Sequence, residues 1–225
     1  MAINLKTTGQ LASAGVKILC YGAAGAGKTS LIPTMPNPIV LSAEGGLLSI
    51  VDANIPYIEV GSMKSMEEAY EWLTESHEAK DFQSVAIDSI SEIAEIILGH
   101  ERKINKDPRA AYGAMIMQTS EIIRGFRDMP NRHVLMTAKL EKTQDEMGRV
   151  MYSTFMPGNK FGPQLPYFFD EVLALRVEKD GEGNIQRALM CNSDGLWEAK
   201  DRSGKLGAWE SPDLGAVIAK IGGEV

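Results

Sequence analysis

Cysteine, histidine, long apolar runs and an excess of positive charge are all scarce in this 225-residue sequence. Two cysteines, Cys20 and Cys191, make no disulfide framework and have no metal-ligand spacing. Cys20 lies in an apolar stretch, which predicts a buried, inert thiol and suits a reducing compartment. His77, His100 and His133 form no metal pattern. No run approaches the length of a membrane span, and the start, MAINLKTTGQ, lacks the apolar stretch of a secretory signal. No membrane partner and a cytoplasmic location are therefore expected. The net charge of −7 argues against a surface that is basic throughout, although a local basic groove can coexist with it. Internal repeats and low-complexity linkers are missing too, so residues 1–225 are expected to form a single domain behind a flexible segment over 1–14.

What is present is an alternation of short apolar runs with longer amphipathic segments, the pattern of an α/β fold with a mainly parallel central sheet flanked by helices. Strands are predicted at 16–21, 39–43, 57–60, 84–88 and 134–138. Helices are predicted to open at about Lys28 and to span 65–76, 90–105 and 111–128, with Ser65 and Glu68 at capping-box spacing. Residues 140–166 are polar, rich in Gly and Pro, and aperiodic, which predicts a long functional or mobile loop. Two further strands, 171–178 and 187–191, flank Asp180-Gly181-Glu182-Gly183-Asn184 and predict a C-terminal β-hairpin, followed by a helix near 213–221.

Gly22-Ala23-Ala24-Gly25-Ala26-Gly27-Lys28-Thr29 is a full GxxxxGK[ST] phosphate-binding loop, preceded by a strand and followed by a predicted helix. Glycines and small alanines let backbone N–H groups turn inward around a β-phosphate. Lys28 is then placed to reach the β- and γ-phosphates of ATP, and the Thr29 hydroxyl to ligate Mg²⁺, with Ser30 beside it. The apolar strand 84–88 ends in Asp88, a carboxylate suited to the Mg²⁺ shell. Ser89 follows it instead of a glutamate, so the water-activating carboxylate must come from elsewhere. Glu44, at the end of the strand 39–43, is the candidate, and Glu92 is its rival.

The order of these motifs, with a strand ending at Lys139 before a long loop, resembles the RecA-like recombinase core. The stretches LSAEGGLLSI, IDSISEI, DPRAAYGAM, PGNKFG, LPYFFDEV and AKDRSG resemble compact phage-encoded RecA-like ATP-binding proteins, over roughly residues 15–220. Some of that group are single-strand annealing recombinases. The resemblance implies a RecA-like P-loop NTPase that hydrolyses ATP, binds single-stranded DNA and promotes annealing in phage recombination or replication. It also implies a bacterial host's cytoplasm, a ring or filament of identical subunits, and a single-strand DNA-binding protein as companion. Lys139 stands where RecA-like proteins commonly place a phosphate-sensing glutamine. Two segments correspond to that family's DNA-binding loops: 103–113, with Lys103, Lys106, Arg109 and Tyr112, and 140–166, with Lys142, Arg149, Lys160 and Phe161. Cations tracking phosphates with an occasional ring suit single strands; solvated surface segments are the alternative. The cluster Tyr167-Phe168-Phe169 reads as core. Lys200-Asp201-Arg202 resembles the lysine and arginine that hexameric helicases and KaiC-type ATPases extend to a neighbour's γ-phosphate. The rival readings are a nucleotide-gated assembly module, a P-loop kinase, and a packaging or helicase motor; no clear kinase lid is visible.

Overall fold

The computed structural model describes Leu5, Thr7 and residues 15–222. Apart from those first two residues, the segment 1–14 expected to be flexible lies outside the described residues. The elements run β1 (Lys17–Gly22), β2 (Pro38–Ser42), β3 (Tyr57–Glu59), α1 (Met63–Glu75), β4 (Ser84–Asp88), α2 (Ile90–Ile104), α3 (Pro108–Arg127), β5 (His133–Gln144), β6 (Val150–Thr154), β7 (Glu171–Lys179), β8 (Ile185–Met190), β9 (Lys200–Asp201), β10 (Trp209–Glu210) and α4 (Leu214–Ile221). The sheet order is β10-β8-β7-β1-β5-β4-β2-β3. From β7 to β3 every pairing is parallel. β8 returns antiparallel to β7 as the expected C-terminal hairpin.

Strand side chains alternate between faces, and both faces here are covered. Leu19 and Tyr21 of β1 join the core under α1, α2 and α3. Ile18 and Cys20 join the opposite core, with Leu31, Ile32 and α4. Burial on both sides is why the central strands read as unbroken apolar runs. No described helix is long and apolar enough to cross a membrane.

Local capping fixes where the helices begin. Ser89 caps α2 by accepting the Glu92 N–H. Asp107 caps α3 with Pro108 in its first turn, so α3 starts before the expected 111. The capping box of α1 is Ser62 with Ser65, one turn earlier than the expected Ser65 and Glu68; Glu68 instead pairs with Lys64 at 3.2 Å.

Two corrections are larger. The helix expected at Lys28 is a single 3-10 turn, Thr29–Thr34, with Pro33 inside it. Proline cannot donate the next helical hydrogen bond, so the turn does not grow. The expected loop over 140–166 is largely ordered structure. β5 continues to Gln144 and pairs antiparallel with β6, and a 3-10 turn covers Gly162–Phe168. The hairpin's turn is closed by Asp145, whose carboxylate accepts the Met147 and Arg149 amides and the Arg149 Nε–H. The aromatic trio also divides: Phe169 is fully buried, whereas Tyr167 is 80% exposed.

Candidate functional site

The carboxyl ends of β1, β4 and β2 meet the middle of β5 along one edge of the sheet. Gly22 at the end of β1 stands opposite Lys139 of β5, and Asp88 at the end of β4 stands opposite Ser42 of β2. Gly22 is glycine for a steric reason: a Cβ there would come within 2.9 Å of the Leu175 carbonyl oxygen on β7. Gly27 has φ +102°, a backbone region that suits glycine. The loop so formed carries Lys28, whose Nζ–H groups donate to the carbonyls of Gly22 at 2.9 Å and Ala23 at 3.1 Å.

Thr29 and Asp88 come from separate motifs and meet here. The Thr29 hydroxyl donates to Asp88 Oδ2 at 2.7 Å, and the Thr137 hydroxyl donates to Oδ1. Asp88 is only 4% exposed, and these two hydroxyls keep its desolvated carboxylate satisfied. A threonine hydroxyl beside a carboxylate is a hard-oxygen donor set that fits Mg²⁺. Mg²⁺ is usually shared between one or two such groups and bound phosphates. Among the described residues no cluster of three or more His, Cys, Asp or Glu forms an all-protein cage.

Glu44 lies on the same edge. The Ala43 N–H donates to the Asp88 carbonyl at 2.8 Å, and the exposed Glu44 carboxylate accepts the Ser89 hydroxyl. Glu92 is differently engaged: Lys139 Nζ lies 2.6 Å from Glu92 Oε2 and 2.8 Å from Glu95 Oε2. Partial burial works against the Lys139 charge, but the hydrogen bonds it donates to Glu92 and Glu95 outweigh it and raise its pKa. The Lys139 ammonium is thus held by two carboxylates of α2, and Glu92 is neutralised where Glu44 is not.

The segments expected to meet DNA are partly brought together. Tyr112 packs against Gly158, within 3.0 Å of where a Cβ would stand, joining the 103–113 region to the loop that carries Lys160. Lys103, Lys106, Arg109 and Lys160 are exposed, and none has a carboxylate partner among the described residues. Lys142 lies 5.7 Å from the centre of the Tyr152 ring, and Arg149 is held by Asp145 at 2.7 Å. Phe161 is a correction: it is fully buried in the main core and offers no face to a base.

Lys200 and Arg202 lie elsewhere. Lys200 pairs with Val172, which pairs with Leu19, three residues before Gly22 and so about 10 Å along the sheet from the phosphate loop. The Lys200 ammonium donates to the Pro166 and Phe169 carbonyls at 2.7 and 2.5 Å, and Arg202 pairs with Asp170 at 2.8 Å. Sequence reasoning also missed three residues. Thr137 was visible as the one polar side chain in the apolar run 134–138. Ser89 and Arg187 carried no local signal for the contacts they make.

A family model described as an AAA domain matches residues 14–203. Among solved structures, the chain is similar to a KaiC-like protein of Pyrococcus horikoshii OT3, at 13% identity over 79% of each chain, with a TM-score of 0.43. It is also similar to a prototypical type III secretion system ATPase of pathogenic bacteria, at 14% identity over 72% of this chain and 52% of that one, with a TM-score of 0.49. No curated protein matches the chain.

Proposed function

The chain belongs to the family of AAA domains, and from that premise we propose that it binds ATP with Mg²⁺ through residues 22–30, hydrolyses it, and acts on single-stranded DNA. The observation that carries the nucleotide half is the 2.7 Å hydrogen bond from Thr29 to Asp88, which unites the two Mg²⁺-binding motifs at the end of the phosphate loop. Bound there, the ion would neutralise phosphate charge and polarise the terminal phosphoryl group. Lys28 exchanges its carbonyl partners for phosphate oxygens, which are stronger acceptors for an ammonium. Glu44 orients a water for attack on the γ-phosphorus and receives its proton, while Ser89 holds the carboxylate in place. Glu92 is the poorer candidate for that role because its carboxylate is already held by Lys139.

The DNA half is supported by Lys103, Lys106, Arg109 and Lys160, four exposed cations with no carboxylate partner among the described residues, in a chain of net charge −7. Exposed cations that are not spent on carboxylates suit a phosphate backbone. Strand annealing in phage recombination or replication, beside a single-strand DNA-binding protein and within an oligomer of this chain, completes the proposal.

Binding of a dye-labelled single-stranded oligonucleotide, followed by anisotropy without nucleotide, with ADP and with a non-hydrolysable ATP analogue, tests both halves. Affinity should rise with the analogue and fall steeply with salt, as counterions are released on binding. Lys28→Ala should abolish the nucleotide response and Mg²⁺-dependent ATP hydrolysis. If low salt and the analogue give no DNA affinity, the DNA half falls and a nucleotide-gated assembly module takes its place.

A further inference from the structure

The β7–β8 hairpin sends one arginine onto the phosphate loop. Arg187 of β8 donates from Nε to the Ala26 carbonyl at 2.9 Å, across 161 residues of sequence. Its Nε and Cδ lie 3.5 and 3.8 Å from the position a Cβ would take on Gly27. Four of the other eight arginines are matched to carboxylates, Arg127 with Asp128, Arg149 with Asp145, Arg176 with Glu178 and Arg202 with Asp170, and Arg132 is spent on the Leu73, Ala79 and Phe82 carbonyls. Arg187 has no carboxylate among the described residues, and its one hydrogen bond leaves four of five guanidinium N–H donors for another acceptor.

The local fold gives that charge a purpose. Phosphate loops ordinarily draw on the positive end of the helix that follows them. Here that helix is the six-residue turn Thr29–Thr34, so little macrodipole is available. A guanidinium brought in from β8 supplies fixed positive charge at the same loop. Strand order then decides which part of the nucleotide it meets. Asp88 and Glu44 reach the loop from β4 and β2, on one side of β1, whereas Arg187 comes from β8, on the other. The reacting terminal phosphate belongs on the carboxylate side, so the guanidinium faces the inner phosphates.

We infer that Arg187 is a same-subunit contact to the inner phosphates, which ADP and ATP share, and that it supplies binding rather than transition-state stabilisation. This rests on residues 22–30 being the nucleotide site. Dissociation constants for ADP and for a non-hydrolysable ATP analogue should be measured for the wild type, Arg187→Gln and Arg187→Lys, beside steady-state kinetics. In Arg187→Gln both constants should rise together by about 10- to 100-fold, the worth of one charge-assisted hydrogen bond. KM should rise while kcat stays within about threefold, the mark of uniform binding. The wild type should lose ADP affinity with salt more steeply than Arg187→Gln, and Arg187→Lys should recover part of the loss.

Glutamine can still donate to the Ala26 carbonyl. Near-wild-type nucleotide affinity in Arg187→Gln would therefore reduce Arg187 to a brace for the loop and overturn the inference alone. Weakened ATP-analogue binding with unchanged ADP binding would overturn it as well, by moving the contact to the terminal phosphate. A wild-type protein that binds neither nucleotide would overturn the site and the inference together.

Discussion

Asp88 receives hydroxyls on both carboxylate oxygens, while Glu44 receives one and stays open to solvent. That difference separates a fixed ion-holding carboxylate from one free to take up a proton. Glu44→Gln should keep nucleotide affinity and lose turnover by about 10²- to 10⁴-fold, the usual worth of general base catalysis. Glu92→Gln should lose far less, since its carboxylate is already matched to Lys139. Single-turnover hydrolysis beside equilibrium binding would show it, and the reverse ranking would make Glu92 the base. At this scale the sequence was most legible where chemistry is local. Eight consecutive residues define the phosphate loop, and a strand ending in Asp88 defines its partner. Lys139 was half-legible: its strand was clear, but β5 runs five residues past it, and its pairing with Glu92 and Glu95 depends on how α2 lies against β5. Arg187 was not legible, because nothing near it in sequence records Ala26.

Elements were legible where one pattern dominated. The parallel strands were found because burial on two faces makes them apolar throughout, and the hairpin β7–β8 because its turn is rich in Gly, Asp and Asn. The β5–β6 hairpin was missed because it projects beyond the sheet with charge on both of its faces, so no period of two survives. The turn after the phosphate loop was overestimated because the P-loop pattern implies a helix that Pro33 forbids. The projecting hairpin is held by a backbone bridge, with the Tyr152 N–H donating to the Leu196 carbonyl at 2.7 Å, and by an aromatic stack of Tyr152 on Trp197 with centroids 4.1 Å apart and planes 11° from parallel. Tyr152→Ala should cost about 2 kcal/mol in urea unfolding, combining lost stacking with lost burial. Amide exchange should accelerate over β6 and the outer half of β5 while β1 and β4 keep their protection. Uniform acceleration across the sheet would show that the hairpin does not open by itself.

At the scale of the molecule, the phosphate loop and the Lys200–Arg202 pair lie at different levels of the sheet. If Arg202 serves hydrolysis, it therefore does so on a neighbouring subunit. Specific activity should then rise with protein concentration, and mixing Arg202→Ala with Lys28→Ala should restore part of the activity through mixed interfaces. Concentration-independent activity without rescue would leave Arg202 as the partner of Asp170 alone.

The same region governs pH dependence. Burial, and next the Asp201 carboxylate, push Glu171 from 4.5 up to about 8, while burial lowers His133 from 6.5 to about 4. The folded chain holds a proton on Glu171 that the unfolded chain releases, so this group's stabilisation is full below pH 4.5 and is lost as pH rises through about 8. His133 works in the opposite sense but only below pH 6.5, where the unfolded chain binds the proton the folded one refuses. Between pH 6.5 and 8 the wild type should thus lose melting temperature that Glu171→Gln retains. Parallel slopes for the two proteins would assign the loss to other groups.

The Tyr21 hydroxyl donates to the Glu198 carbonyl at 2.7 Å, with the Tyr152 carbonyl 3.2 Å away, and its ring lies 6.3 Å from that of Trp197. Gly22, the next residue, opens the phosphate loop. Trp197 is also packed by Tyr152 and by the Arg176 guanidinium, 4.3 Å from the ring centre. Trp197 thus neighbours the residue that precedes the phosphate loop, and a shift of β1 on nucleotide binding should change its emission. With Trp72 and Trp209 replaced by Phe, added nucleotide should therefore be visible in the intrinsic light of unlabelled protein, and unchanged emission would show that β1 stays still.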